Sequence, residues 1–386
     1  MSACLIVSTY PPRKCGIATF ARDLRDNLIK HPPQVLVAAM EDPYQSHNYP
    51  GEVILTIQQE NIGDYTACAA WANREPDLDI VIIQHEYGIF GGPNGEYILK
   101  LVQHLRKPYL LVTHTVLPHP SANQHRVLST MASSAAGVIC MTRRARKLLS
   151  AVYGVSRERT VVVPHGVPVF VKKNRNTIKE RHLLSHRTII TTFGLIGPGK
   201  GLEIGIKALS RLVEEHPQVL YLIAGATHPV LLRSEGERYR ESIEQLVRDL
   251  KLEEHVWFDN RFLTDEELGE YLYMTDIYLS PYPNMDQAVS GTLAFAVGSG
   301  RAIVSTPYEY AQEVLSGGRG LLAREASAQG LAELMDLILR NPALKQELEA
   351  SASALGRSLT WPSVAALYHK ITSEILEDRV DLSCRP

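Results

Sequence analysis

Lys200 stands between Gly199 and Gly201 in "FGLIGPGKGLEIGIKAL", where a helical pattern opens. An ammonium group beside backbone N–H donors at a helix start suits a phosphate, because a mobile point charge and fixed amides act on the same anion. Gly194 and Gly197 belong to the same stretch. The spacing is not that of a P-loop, since Gly201 follows the lysine where that motif has Ser or Thr. A second stretch, "NMDQAVSGTLAFAVGSGRAIVST" (284–306), breaks at Ser290, Gly291 and Thr292 and then runs small and apolar to Gly300. It reads as a loop feeding a helix whose first turn lets an anion approach the amides of Ser290 to Thr292. No carboxylate lies between Asp286 and Glu309.

Further candidates follow other apolar runs. In "STYPPRKCGIATFARDL", Gly16 follows a proline-stiffened turn and opens a helix, with Arg13 and Lys14 adding charge beside it. In "QHEYGIFGGPNGEY", glycines break the chain just after His85 and Glu86, two groups able to bond sugar hydroxyls or to brace the loop itself. His114 in "LVTHTVLPHP" falls at the end of a strand pattern, a position where histidines do chemistry as well as structural work. His228 in "GATHP" and Arg261 in "FDNRFL" also follow strand patterns, Arg261 as a candidate auxiliary cation alongside Arg13.

The elements that must position these groups are legible as alternation. "CLIVS", "QVLVAAM", "DIVIIQ", "YLLVT" and "GVICM" alternate with amphipathic stretches such as 17–30, 93–106 and 142–153. Short apolar strands separated by helices imply a parallel sheet covered on both faces. The pattern stops at "TVVVPHGVPVFVKKNRN", which predicts a helix-poor linker around 165–185. It then resumes with "TIITTFG", "VLYLIAG", "HVWFD", "DIYLS", "AIVST" and "GLLA", separated by helices over 200–214, 233–250, 264–273, 291–299 and 308–316. The expected fold class is therefore α/β, with two Rossmann-like, doubly wound domains facing across a cleft and ligands held beyond the carboxyl ends of the strands. The expected boundaries are 1–170 and 171–360, followed by a terminal segment, 361–386, whose amphipathic helix packs back toward the first domain.

Composition removes several alternatives. A formal net charge of -2 with scattered basic residues gives no general attraction to nucleic acid or an anionic surface. Five widely spaced cysteines form no zinc-ligand pattern, so neither a metal nor a disulfide framework is expected, and reduced thiols fit a cytoplasmic protein. No apolar run approaches the roughly 18 residues needed to span a bilayer. The start, "MSACLIVSTYPP", reads as a first strand rather than a signal peptide.

Over essentially its whole length the sequence resembles the retaining GT-B glycosyltransferases, specifically family 4. The resemblance rests on "PPRKCGIATFARDL", "VVVPHGV", "FGLIGPGKGLEIGIKAL", "TDIYLSPYP", "GTLAFAVGSGRAIVST", "EVLSGGRGLLA" and "LTWPSVAALYHKI" in this order. It implies two Rossmann-like domains and metal-independent, cofactor-free transfer of a sugar, with retention, from a sugar nucleotide to a hydroxyl acceptor such as a glycan. By the same resemblance Lys200 is the phosphate-binding lysine, Gly16 faces donor phosphates and His114 approaches the sugar; Gly199, beside Lys200, is a further candidate for the phosphates from its place at the helix start. Leu195 stands where the family has a phosphate-binding arginine. Gln287 and Phe295 stand where it has two glutamates, the first near the donor sugar and the second on the ribose. Gln287 can still bond hydroxyls, but Phe295 cannot hold a ribose diol. A glycoside phosphorylase or transferase with a non-nucleotide donor, and a weakly catalytic glycan- or partner-binding protein, are the other readings.

Overall fold

The computed structural model describes residues 3–30 and 34–383; Cys384 lies outside them. Two compact units result, one of Met1–Gly166 with Trp361–Pro386 and the other of Val167–Thr360. The chain thus changes unit at 166/167 rather than at 170/171.

The first unit is built on β1 (Ala3–Ser8), β2 (Gln34–Glu41), β3 (Val53–Gln58), β4 (Leu78–His85), β5 (Tyr109–Thr113), β6 (Gly137–Cys140) and β7 (Thr160–Val162). They form one sheet in the order β3-β2-β1-β4-β5-β6-β7, with every pairing parallel. Strands buried on both faces explain why β1, β4, β5 and β6 read as continuous apolar runs without alternation. The β3 strand escaped that pattern because its residues alternate between partly buried and exposed. The terminal helix Trp361–Ser383 packs against the helix Gly16–Leu28 of the same unit. Its first residue lies flat on the backbone at Gly166, where a Cβ would come within 2.3 Å of the Trp361 ring. Only glycine fits there.

The second unit contains β8 (Thr188–Phe193), β9 (Val219–Ala224), β10 (Val256–Asp259), β11 (Ile277–Ser280), β12 (Ala302–Ser305) and β13 (Leu321–Leu322). Their order, β10-β9-β8-β11-β12-β13, is again parallel throughout. The expected helix-poor linker is only partly so. Asn174 accepts from the amides of Asn176 and Thr177 and caps a helix at Arg175–Arg181, whose Ile178 is buried in this unit's core. Its polar composition concealed that helix in the sequence, because Lys179 and Arg175 turn inward to partners far along the chain, Asp276 and Glu349.

In both sheets the strand order reverses beside the first strand, between β1 and β4 and between β8 and β11. Loops leaving the carboxyl ends of those strands diverge to opposite sides, which opens a crevice in each unit.

Candidate active site

At the β8/β11 reversal the second unit assembles one polar cluster. Gly194, directly after β8, has φ +119°, and a Cβ on it would lie 3.0 Å from both Lys200 Nζ and Thr292 Cγ2. The missing side chain gives Lys200 its path back over the strand end. Gly201, with φ +61°, presses its Cα against the carbonyl of Pro281, which fixes the loop after β8 to the loop after β11.

Lys200 Nζ then donates to the Tyr282 hydroxyl at 2.5 Å, and it lies 4.7 Å from the centre of that ring. The same hydroxyl is 2.7 Å from Thr292 Oγ1 and 3.5 Å from Ser290 Oγ, and the two smaller hydroxyls are 3.2 Å apart. Tyr282 is held by stacking on Tyr308, with centroids 5.1 Å apart and planes at 14°. Burial pushes the Tyr282 phenol up, but the Lys200 charge and the hydrogen bonds from Lys200, Ser290 and Thr292 outweigh it, so its pKa falls below the usual tyrosine value. Ser290 also caps the helix Gly291–Gly298 by accepting from Leu293 N at 3.2 Å. Among the described residues the Gly291 and Thr292 amides have no intrachain acceptor. A cation, hydroxyls and free amides at a helix start can together hold a phosphate.

Other residues of this unit fall in different places. Gln287 donates from Nε2 to Val289 O at 2.9 Å while its backbone carbonyl accepts from Tyr310 N, so it braces the loop before Ser290. Gly199 is exposed, with open space where a Cβ would be. Leu195 is half-buried. His228 caps the short helix after β9, and its pKa is lowered by burial and by the charges of Arg233 and Lys200. Phe295 packs between Phe193 and Phe170, at centroid distances of 6.4 and 6.2 Å.

Arg261 corrects an expectation. It is bound to Asp259 at 2.8 Å and Glu267 at 2.7 Å, at the end of the edge strand β10, two strands from β8. It does not join the Lys200 cluster.

In the first unit, Gly16 opens its helix with free space before it, and Cys15 caps that helix through Sγ, accepting from Ala18 N at 3.3 Å. Arg13 is a second correction: its guanidinium donates to Met40 O and Gln59 Oε1, both at 3.2 Å, tying the turn to the ends of β2 and β3. His85 is a third. Its ring is fully enclosed, 4.7 Å from Tyr87 in edge-on contact, and among the described residues neither ring nitrogen has a partner. Burial holds its pKa down at about 4. Such a ring cannot reach a sugar. Glu86 accepts from Thr115 Oγ1 at 2.5 Å and Tyr87 N at 3.1 Å, so it braces its loop, and burial raises its pKa.

His114 has a different environment. It is 7% exposed, its Nε2 is 2.7 Å from Gln84 Oε1, and Phe20 meets its ring edge-on at 4.8 Å. Burial, then the neighbouring His165 and His85, lower its pKa to about 3. Two residues of consequence, Tyr282 and Gln84, were passed over in the sequence. Both end apolar runs as polar groups at carboxyl ends of strands beside a reversal, and that position is the signal that would have found them.

Among the described residues, one group has the composition of a metal site: Glu215, His216 and Asp336. Arg340 pairs with both carboxylates, and His216 precedes β9, at the sheet edge opposite the Lys200 cluster.

Residues 15–169 match the family described as Glycosyltransferase Family 4, and residues 174–354 match Glycosyl transferases group 1. The chain belongs to the GT-B glycosyltransferases. A Mycolicibacterium smegmatis protein, GDP-mannose-dependent alpha-(1-6)-phosphatidylinositol monomannoside mannosyltransferase, is 29% identical over 107 residues. That match spans 28% of this chain and 25% of the relative. Among solved structures, Anabaena HepE in complex with UDP aligns with a TM-score of 0.75 at 16% identity, over 97% of this chain and 100% of that one. A sucrose-phosphate synthase from Thermosynechococcus elongatus aligns with a TM-score of 0.80 at 16% identity, over 98% and 100%. These two likenesses establish the fold. No helix among the described residues is long and apolar enough to cross a membrane.

Proposed function

We propose that this glycosyltransferase family member moves a sugar, with retention and without a metal, from a sugar nucleotide to a hydroxyl of a carbohydrate acceptor. The observation that carries the reading is the Lys200–Tyr282–Thr292–Ser290 cluster beside two free helix amides at the β8/β11 reversal. In the proposed reaction the bond between the anomeric carbon and the phosphate oxygen breaks, and that carbon bonds to the acceptor oxygen. The acceptor proton passes to the departing phosphate. Lys200 and the amides of Gly291 and Thr292 stabilise the charge growing on that phosphate, an electrostatic contribution that does not need a protein carboxylate.

A sugar nucleotide donor draws support from the GDP-mannose in the relative's name and the UDP in the HepE complex. A second reading, transfer from a non-nucleotide glycosyl phosphate, is favoured by one observation. Phe295, at the position where the resemblance places a ribose-binding glutamate, packs on Phe193 and Phe170 and offers no acceptor to a diol.

Thermal-shift titration with GDP, UDP, ADP and inorganic phosphate, each repeated on Lys200→Ala, separates the two. A shift with one nucleoside diphosphate that the variant loses is expected; a response to phosphate alone supports the second reading. Incubation with GDP-mannose or UDP-glucose and glycan acceptors, with and without EDTA, then tests transfer, and proton NMR of the product reads the anomeric configuration. No shift and no product with any of them would overturn both.

A further inference from the structure

Gln84 is the last but one residue of β4, and it pairs in register with Val112 of β5. Side chains alternate along a strand, so Gln84 points to the face shared by Ser8, Val112 and His114, while His85 points to the other. On that face Gln84 Oε1 lies 2.7 Å from His114 Nε2. With the amide turned so that Oε1 meets the ring, the carbonyl can only accept, and in that orientation the proton of the neutral imidazole sits on Nε2 and Nδ1 keeps the free lone pair, while Gln84 Nε2 is enclosed without a partner among the described residues. His114 Nδ1 makes no hydrogen bond and is not among the enclosed polar atoms, so it reaches the accessible surface. The ring is fixed by its edge contact with Phe20, which itself meets His165 at 5.1 Å and Trp361 at 4.8 Å.

The charge state follows from the same surroundings. Among the described residues the groups facing His114 are Gln84, Phe20 and His165, with His85 acting only from the opposite face of the sheet, and no carboxylate or cation is among them. Nothing there stabilises an imidazolium.

We propose that Gln84 is a positioning residue, which holds His114 as the neutral Nε2–H tautomer so that Nδ1 is presented as an acceptor for a ligand hydroxyl. His114 in this state is no partner for a phosphate. It selects a group that carries a proton, and under the sugar-transfer reading that group is a hydroxyl of the bound sugar. Only the identity of the hydroxyl rests on that reading; the tautomer does not.

Long-range proton–nitrogen NMR on the full chain labelled with ¹⁵N-histidine reads the tautomer directly, with His114→Asn assigning the signal. The expected spectrum has His114 protonated on Nε2 alone from pH 8 down to about pH 5. Gln84→Leu removes the acceptor, and the His114 signals move toward a mixture of tautomers. The isosteric Gln84→Glu places a carboxylate on Nε2 and raises the His114 pKa, so an imidazolium signature appears on acidification where the wild type shows none. In a transfer assay both variants lower kcat/KM at least about tenfold, the low end of the cost of removing an orienting partner from a ligating histidine. For Gln84→Glu the loss deepens as pH falls. A wild-type His114 protonated on Nδ1, or unchanged His114 signals in Gln84→Leu with the fold intact, overturns the proposal. If the spectra behave as expected while no sugar donor is turned over, the positioning role stands and the sugar-transfer reading fails.

Discussion

Replacing Tyr282 by Phe removes one oxygen and leaves the ring stacked on Tyr308. That oxygen is the meeting point of Lys200 at 2.5 Å and Thr292 at 2.7 Å. Hydrogen bonds to a charged group contribute about 1.5–3 kcal/mol when water is excluded. Lys200 is only half-buried and its ammonium regains water in the variant, so about 1 kcal/mol is the expected loss of stability. For a unit of this length that corresponds to a fall in Tm of about 2–4 °C. Without its anchor the ammonium no longer waits at the helix amides. The expected fall in kcat/KM is at least about tenfold, or about 1.4 kcal/mol of transition-state stabilisation. Ultraviolet difference titration gives an independent readout. The Tyr282 pKa is lowered in the folded protein, so between that value and the unfolded value of about 10 the unfolded chain holds a proton that the folded one has released. Stability from this group therefore rises with pH across that window and is absent below it. One tyrosine ionises ahead of the rest in the wild type, and this step disappears in Tyr282→Phe and in Lys200→Met. An unaltered titration curve in both variants, with unaltered turnover, would refute the assignment of Tyr282 to this cluster.

Gly194→Ala should damage the same site by another route. Its Cβ would sit 3.0 Å from Lys200 Nζ at φ +119°, so the nucleoside diphosphate thermal shift should shrink while the far-ultraviolet spectrum is retained. His85→Leu should leave transfer activity within about twofold and hold or raise Tm, because an enclosed imidazole with no partner is costly to bury; a large loss of activity would return His85 to the site. Acid should destabilise the first unit. His85, His114 and His165 have folded pKa values of about 4, 3 and 4. Between those values and about 6.5 the unfolded chain binds protons that the folded one does not, so stability is complete above that window and lost as pH falls through it. At about 1.36 kcal/mol per pH unit each loses about 3 kcal/mol between pH 6.5 and 4.5, and chemical denaturation at pH 7 and pH 4.5 reads that combined loss.

Strand positions β8 to β12 of the second unit were legible because each is an apolar run closed by a glycine, aspartate or proline signal, and Lys200, Ser290 and Thr292 could be ranked from their place after such runs. Tyr282 was not legible. Nothing in "LSPYP" says that its phenol turns back to a lysine more than eighty residues earlier in the chain, because that contact depends on β8 and β11 lying side by side. His85 and Gln84 show the opposite limit. They are neighbours in sequence with similar chemistry, and only the parity of β4 against β5 decides which one shares a face with His114. Arg13 was legible as a cation but not as a paired one, since its partners lie at the ends of β2 and β3, whereas Arg261 has one partner, Asp259, two residues before it and a second, Glu267, on the following helix.

Val167 and Thr360, the two ends of the second unit, pair as a parallel bridge, and Val167 N donates to Leu359 O at 2.8 Å. A segment whose ends already touch behaves as a cassette. It can be lifted out of one coding sequence and set into another through two cuts that fall at a single place in space, without stretching either flank. The unit bearing Lys200 is thereby free to be exchanged by recombination while the unit bearing His114 keeps its own core.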